Sequence, residues 1–332
     1  MRPAAPLAAV VVPVYNAGAF LPACLRSIAA QTLQDFRCYL VDDGSSDGSG
    51  ALCEAAGRED MRFVPLHQAQ CGVSAARAAG LRAALADGAR WIAFCDADDL
   101  FHPDLLRVLI GAARSAKMPV ACCLYDSFSG DAPADLPARP AGARVLAAPA
   151  HLEALLHDHA VDFSLCNKLY SAEALTPADL DNGYAYNEDL LANWQVFSRL
   201  PGCAFVDFVG YHYRQHPGSA SHRPLNPASL DDQRRAAIYI REHAGPEMQQ
   251  SADAFYYEKL VYLASMILRR ADAADYRVQF NELGVGIRAG LRDPRLGKNP
   301  RLALSIKAAA WATVHCTRLW AAVCRRLLRD RQ

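Results

Sequence analysis

The 332-residue sequence contains no C-x-x-C pair, no internal repeat, no low-complexity tract and no run of about 18 uninterrupted apolar residues. The last absence excludes a membrane-spanning helix. Neither sign of charge is in excess, with 35 Lys and Arg against 35 Asp and Glu, so nothing global points to nucleic acid. The 11 cysteines are odd in number, and Cys24, Cys38, Cys95, Cys122, Cys123 and Cys166 sit inside apolar stretches, as reduced core thiols do. A reducing compartment is expected. The N-terminal run after Arg2 is broken by Pro3, Pro6 and Pro13 and lacks a convincing cleavage site, so it reads as a buried strand rather than a signal sequence.

What is present is a chain with 52% hydrophobic content, enough for one large domain or two smaller ones. One stretch organises it. The apolar run Trp91–Cys95 ends in Asp96, Asp98 and Asp99, three carboxylates within four residues. Unpaired carboxylates are costly to desolvate, so such an edge is expected to face water or a cation, and oxygen donors suit Mg²⁺ or Mn²⁺. Taken alone, the triplet is a weak signal and reads first as a solvated turn and cap before a helix that starts near Pro103 and Asp104.

The surrounding pattern decides between the two. Ala8–Val14 is a continuous small and β-branched run delivering Tyr15 and Asn16. Residues 36–41 form a second strand ending at Asp42 and Asp43, followed by a glycine- and serine-rich turn. Further strands are expected at 61–66, 90–95, 119–125, 165–170 and 203–213, with helices between them, the arrangement of a doubly wound α/β sheet. In such sheets ligands lie beyond the carboxyl ends of the strands, where Asn16, Asp42, Asp43 and the acidic triplet converge. A G-x-G-x-x-G fingerprint after the first strand is missing, which argues against a dehydrogenase. Residues 129–149 have no periodicity and read as a surface loop or hairpin; His151, His157 and His159 lack metal-site spacing and are expected to be solvated. Glu188 and Asp189 open a helix, where capping alone accounts for acids.

From about residue 226 the pattern is helical, with segments expected at 230–243, 252–270, 276–291 and 302–328. From Arg295 onward there are nine Lys or Arg and one acid. At about 100° per residue, Lys307, Arg318, Arg325 and Arg329 share one stripe, opposite Leu302, Ile306, Ala309, Trp320 and Leu327. Such a helix can lie on an anionic membrane, or pack on its domain with a solvated basic face.

Seven segments in order, VVVPVYN (10–16), CLRSIAAQT (24–32), VDDGSSDG (41–48), GVSAARAAGL (72–81), FCDADD (94–99), NKLY (167–170) and NED (187–189), resemble those of a family 2 glycosyltransferase of the inverting GT-A type, over residues 8–222. The resemblance implies a GT-A domain over 1–225, and a helical region over 226–332 ending in the basic amphipathic helix. It implies a nucleotide pocket formed by Pro13, Tyr15, Asn16, Asp42, Asp43, Arg77, Asp96 and Ala97, with UDP favoured because a carboxylate can accept a uracil N–H. Asp96, Asp98 and Asp99 resemble the motif that holds Mn²⁺ or Mg²⁺ against the diphosphate. Asp189 resembles the catalytic base, with Glu188 second. Arg214, His216 and Ser219 could close over the diphosphate, with ordinary structural or surface roles for His212 and His216 as the alternative. Gln70 and Ala78 depart from the family, which often has Asn at both positions.

The implied reaction moves a hexosyl or N-acetylhexosaminyl group from a nucleotide sugar to a glycan or lipid-linked acceptor in cell-surface polysaccharide synthesis. It would run in the cytoplasm or at the inner face of the plasma membrane, with an anionic membrane surface as a further partner and no nucleic acid. Two alternatives remain at this point: a catalytically silent nucleotide-sugar-binding scaffold on the same fold, and a nucleotidyltransferase, which shares the need for paired acids and a cation.

Overall fold

In a computed structural model of the chain, residues 5–130, 133, 142–157, 161–219 and 226–327 are described. Arg2, Pro3, His159, Arg329 and much of the loop expected at 129–149 lie outside them. The chain divides into two compact units, Met1–Tyr184 with Glu188–Arg223, and Ala185–Asn187 with Pro224–Gln332.

The first unit is built on one sheet of nine strands: β1 Ala8–Val14, β2 Phe36–Asp42, β3 Phe63–His67, β4 Trp91–Phe94, β5 Leu100–Phe101, β6 Val120–Phe128, β7 Ala143–Ala147, β8 Lys168–Ser171 and β9 Gly202–Arg214. Their order is β3-β2-β1-β4-β8-β6-β9-β5, with β7 also paired to β9. The β3-β2-β1-β4 half is parallel. β8 runs antiparallel to both neighbours, so the sheet is mixed beyond β4. β1 holds only Ala, Val and Pro, and all but Pro13 are buried, as fits a strand covered on both faces. Val14 pairs with Asp42, which brings the β1 and β2 carboxyl ends to one level.

Seven helices accompany the sheet: α1 Leu21–Ala29, α2 Ser49–Glu59, α3 Val73–Ala86, α4 Leu105–Ala116, α5 Ala150–His157, α6 Pro177–Leu180 and α7 Glu188–Phe197. On α3 the buried face is Ala76, Ala78, Gly80, Leu81 and Ala84, side chains small enough for the helix to lie close on the sheet. A methyl added at Gly80 would run into Val11 of β1 and Val41 of β2.

Several expectations are corrected. Strand β5 intervenes after the acidic triplet, so α4 begins at Leu105, and Asp104 accepts from Thr32 and Arg107 instead of capping the helix. Part of the 129–149 loop is strand: β7 pairs antiparallel with the first half of β9. His151 is buried, not solvated; it stacks on Phe197 and its Nε2 lies 2.9 Å from the Phe197 carbonyl, while burial pulls its pKa down. Aliphatic neighbours at helical spacing gave no hint that this histidine would fill the core side of α5.

The second unit holds α8 Pro227–Glu242, α9 Gln249–Arg269, α10 Arg277–Arg292, α11 Pro294–Gly297, α12 Leu304–His315 and α13 Thr317–Leu327. Its core is drawn chiefly from α9, including Tyr257, Leu260, Leu263, Ala264 and Ile267. The single helix expected over 302–328 is two helices, because the chain leaves helical geometry at Cys316 (φ −132°, ψ 40°). All cysteines are free, and all but Cys71 and Cys316 are buried. Among the described residues no helix is long and apolar enough to cross a membrane.

Gly80→Ala is expected to destabilise the protein by about 1–3 kcal/mol through overpacking between α3 and the sheet, read as a lower midpoint in denaturant unfolding. An unchanged midpoint would mean that α3 can shift outward at no cost.

Candidate active site

Two strand ends, those of β2 and β4, and the N-terminus of α7 supply the acids, and the end of β1 adds Asn16. After β1, Asn16 takes a left-handed backbone (φ 49°), tolerable for Asn, and its side chain accepts from the Ser46 N–H while its own N–H donates to Ser45. The β1 and β2 loops are thereby tied together. Asp42 is buried, accepts from the Ser45 N–H and sits 3.1 Å from His67 Nδ1; His67 Nε2 is 2.7 Å from Glu54. The two carboxylates raise the His67 pKa, with Glu54 the larger cause. Asp43 accepts from Gln68 and from the Cys71 and Gly72 N–H groups, so its carboxylate closes the β3–α3 loop. Tyr15 is exposed beside this cluster in sequence, Pro13 is partly covered and Ala97 is buried.

Beyond β4 the structure centres on Arg77 of α3. Its side chain is 5% exposed, and its guanidinium donates to Asp96 Oδ1 (2.8 Å) and Asp189 Oδ1 (2.6 Å), with Glu188 at 3.7 Å. The Leu165 N–H donates to the other Asp189 oxygen at 3.2 Å. Asp189 is therefore not simply a helix cap: it reaches across to α3 and to the segment before β8. Burial pushes both carboxyls up and Arg77 opposes the shift; Glu188, the farther of the two from Arg77, is raised to about 7 by burial and then by Asp189.

The triplet divides its work. Asp96 faces Arg77. Asp98 carries a side chain 28% exposed and lies 3.0 Å from His216 Nε2. Asp99 corrects the expectation that such acids stay out of the core: it is 1% exposed, accepting from the Tyr211 hydroxyl (2.5 Å) and the Arg214 N–H (2.7 Å). Burial, with Asp96 and Asp98 nearby, pushes it up to about 8. The β9 end thus wraps onto the triplet. Arg214 Nε donates to the Asp98 carbonyl, and its guanidinium lies over the Phe20 and Phe128 rings. His216 packs against Phe20, their ring centroids 4.2 Å apart and their planes tilted by 34°. Ser219 is buried, donating to the Arg214 carbonyl and accepting from the His216 N–H, so it braces the loop from inside. Of the departures from the family, Gln70 is exposed and Ala78 buried.

A cavity of about 200 Å³ lies among Asp96, Asp99, Tyr125, Asp162, Ser164, Asn167, Tyr211 and Tyr213. Most of these residues were absent from the sequence reading. Tyr125 owes its position to register shifts in β6 at Cys123–Leu124 and Leu124–Tyr125, and Asp162 lies in an irregular segment. Neither carries a periodic signal. Tyr211 and Tyr213 could have been found as alternate positions on the strand that ends at Arg214.

Among the described residues no three His, Cys, Asp or Glu side chains converge as a preformed metal cluster. A divalent cation on a diphosphate needs less, since Mg²⁺ is usually held by one or two carboxylates plus substrate phosphates and water. Asp98, partly exposed and beside His216, fits that donor set.

Removing the cation at position 77 leaves three carboxylates facing one another. Arg77→Met is expected to cost about 3–5 kcal/mol in chemical unfolding, as for one partner lost from a buried ion cluster. A raised carboxyl pKa stabilises the fold below its unfolded value and loses that contribution as pH rises through the folded one, here from 4.5 to about 7 for Glu188. Glu188→Gln should therefore melt increasingly above wild type as pH rises through that window; parallel curves would place Glu188 in a water-like setting.

Comparison with known proteins agrees with this architecture. Residues 9–175 match the family model for glycosyl transferase family 2. The uncharacterized glycosyltransferase EpsJ of Bacillus subtilis is 32% identical over 247 residues, 72% of this chain and 71% of its own. The crystal structure of Staphylococcus aureus TarS 1–349 in complex with UDP-GlcNAc is similar in fold, with a TM-score of 0.68, 17% identity, and coverage of 96% of this chain and 89% of that 1–349 chain. The mannosyltransferase PcManGT of Pyrobaculum calidifontis, in complex with GDP-Man and Mn²⁺, aligns with a TM-score of 0.51 and 14% identity over 98% of this chain and 88% of its own. The sheet, the helices around it and these matches together establish that the chain belongs to glycosyl transferase family 2, on the GT-A fold, and is a glycosyltransferase.

Proposed function

We propose that this glycosyltransferase moves a sugar from a UDP-sugar, with inversion, to a hydroxyl of a glycan or lipid-linked acceptor in cell-surface polysaccharide synthesis, at the inner face of a membrane. The observation that carries the reading is Arg77, which joins an acid of the β4 triplet, Asp96, to the acids that open α7. Donor-side and acceptor-side carboxylates far apart in sequence thus meet at one guanidinium. TarS, with UDP-GlcNAc, supports a UDP donor; PcManGT, with GDP-Man, keeps GDP as the alternative base.

In this reading Tyr15, Asn16, Asp42 and Asp43 shape the base and ribose end. Because Asp43 is already committed to three donors, its part is to hold the β3–α3 loop rather than to meet the base alone. Asp98 and His216 would hold the divalent cation, Mn²⁺ or Mg²⁺, which when bound stabilises the charge that grows on the leaving phosphates. Arg214, fixed by Asp98, Asp99 and two phenylalanines, adds a guanidinium on the same side.

Asp189 takes the proton from the attacking acceptor hydroxyl. Arg77 holds its carboxylate in place, and Glu188, with a carboxyl near 7, makes the neighbouring charge depend on pH around neutrality. The cavity lined by Tyr125, Tyr211 and Tyr213 also has three carboxyl groups, an amide and the Ser164 hydroxyl, a mixture that suits a sugar's apolar face and polar rim. A donor-binding scaffold without turnover would share the pocket, and the assay below separates the two.

In a transfer assay with UDP-sugars and Mn²⁺, Asp189→Asn is expected to lower kcat by about 10²–10⁴ with the donor still bound. Asp98→Ala should instead abolish the metal dependence of UDP binding in thermal shift. Wild-type activity in either variant would remove the role assigned to that residue, and UDP binding with no turnover on any acceptor would favour the scaffold.

A further inference from the structure

The sequence placed the apolar stripe of the C-terminal segment at Leu302, Ile306, Ala309 and Trp320. In the structure these positions are already used. Leu302, Ala309 and Ala310 are buried in the core of the second unit, and Ile306 and Trp320 pack against it. Among the described residues, a second, largely apolar set on the other side of α12 has no cover. Leu304, Ala308, Trp311 and His315 follow at helical spacing and are all exposed, Leu304 by 82% and Trp311 by 53%. A helix apolar on every side is ordinarily buried on every side. Here half of it faces water.

The next helix is different in kind. On α13 the exposed positions are Arg318, Leu319, Ala322, Arg325 and Arg326, with Leu319 exposed by 68%. Between Pro294 and Leu327 the sequence has seven Lys or Arg and no Asp or Glu. Lys307 leaves the stripe assigned to it from sequence, because its Nζ donates to the Gly297 and Asn299 carbonyls.

We propose that α12 and α13 dock on an anionic phospholipid surface, Leu304, Trp311 and Leu319 entering the headgroup region and the arginines of α13 meeting the lipid phosphates. Exposed Leu and Trp accompanied by Arg is the composition of an interfacial helix, and Trp favours the headgroup level. Charge selects this occupant over a second copy of the chain, since two such faces would bring arginine against arginine with no carboxylate between them. The surface is separate from the donor chemistry, so it neither needs nor supports the identity of the sugar.

The test is co-sedimentation of the full chain with vesicles of phosphatidylcholine alone, or of equimolar phosphatidylcholine and phosphatidylglycerol, at low salt. Tryptophan emission, with Trp311 the most exposed of the four tryptophans, and donor hydrolysis are followed in the same samples. Wild type should pellet only with the anionic vesicles, with a blue shift in emission. Arg318→Gln/Arg325→Gln/Arg326→Gln should weaken partitioning by about a hundredfold, and Leu304→Glu/Trp311→Glu should abolish it. These residues are exposed and, among the described residues, only the Arg325 side chain of this set makes a hydrogen bond, a long one of 3.5 Å to the Leu268 carbonyl, so donor hydrolysis should match wild type in every variant, as should the thermal midpoint of Leu304→Glu/Trp311→Glu. Failure of wild type to pellet, or equal pelleting of the variants, overturns the proposal. So does a Trp311-dependent dimer in sedimentation velocity, which would assign the face to a second copy. Donor hydrolysis without vesicle binding leaves the transferase reading standing; vesicle binding without hydrolysis does the reverse.

Discussion

The Arg77 guanidinium is the constraint on which the site depends. A cation this deeply buried is tolerated only with partners, and its partners are the acids of the site, Asp96, Glu188 and Asp189. The acids are tolerated for the same reason. α3 carries Arg77 close enough because its buried face is mostly Ala and Gly, with Leu81, which lets the helix settle on β1 and β2. Packing of small residues and placement of charge are therefore one design: a helix held farther out would leave the guanidinium short of β4 and α7.

A second linkage runs through β9. This strand is 13 residues long and pairs with β5, β6 and β7, so its end is rigidly placed. Tyr211 and the Arg214 N–H hold Asp99, and the residues just beyond supply Arg214 and His216 beside Asp98. The acidic edge thus has one buried member that anchors the wall, one partly exposed member beside His216, and one turned to Arg77. Three identical carboxylates acquire three roles from their surroundings alone.

The second unit shows how an Ala-, Leu- and Trp-rich helix can mislead. α12 is apolar on several sides, so periodicity admits two faces and cannot say which one meets the α9 core. The break at Cys316 then rotates α13 independently. The faces left in water, Leu304 with Trp311 and Leu319 with its arginines, appear only once the packing is known.

The sequence by itself determined the α/β alternation, the positions of the parallel strands, the ordered motifs from Val10 to Asp189 and the burial of the cysteines set in apolar stretches. These depend on local periodicity and residue type, which are written along the chain. Only tertiary structure decided that β8 is antiparallel, that β7 completes the edge of β9, that His151 is buried and that Asp99 is a core residue. It also brought Tyr125, Asp162 and Tyr213 to the cavity and set Arg77 between Asp96 and Asp189. Contacts of that kind join residues distant in sequence, and whether a carboxylate is desolvated, paired or open to a ligand is a property of the neighbours it meets, which no local pattern encodes.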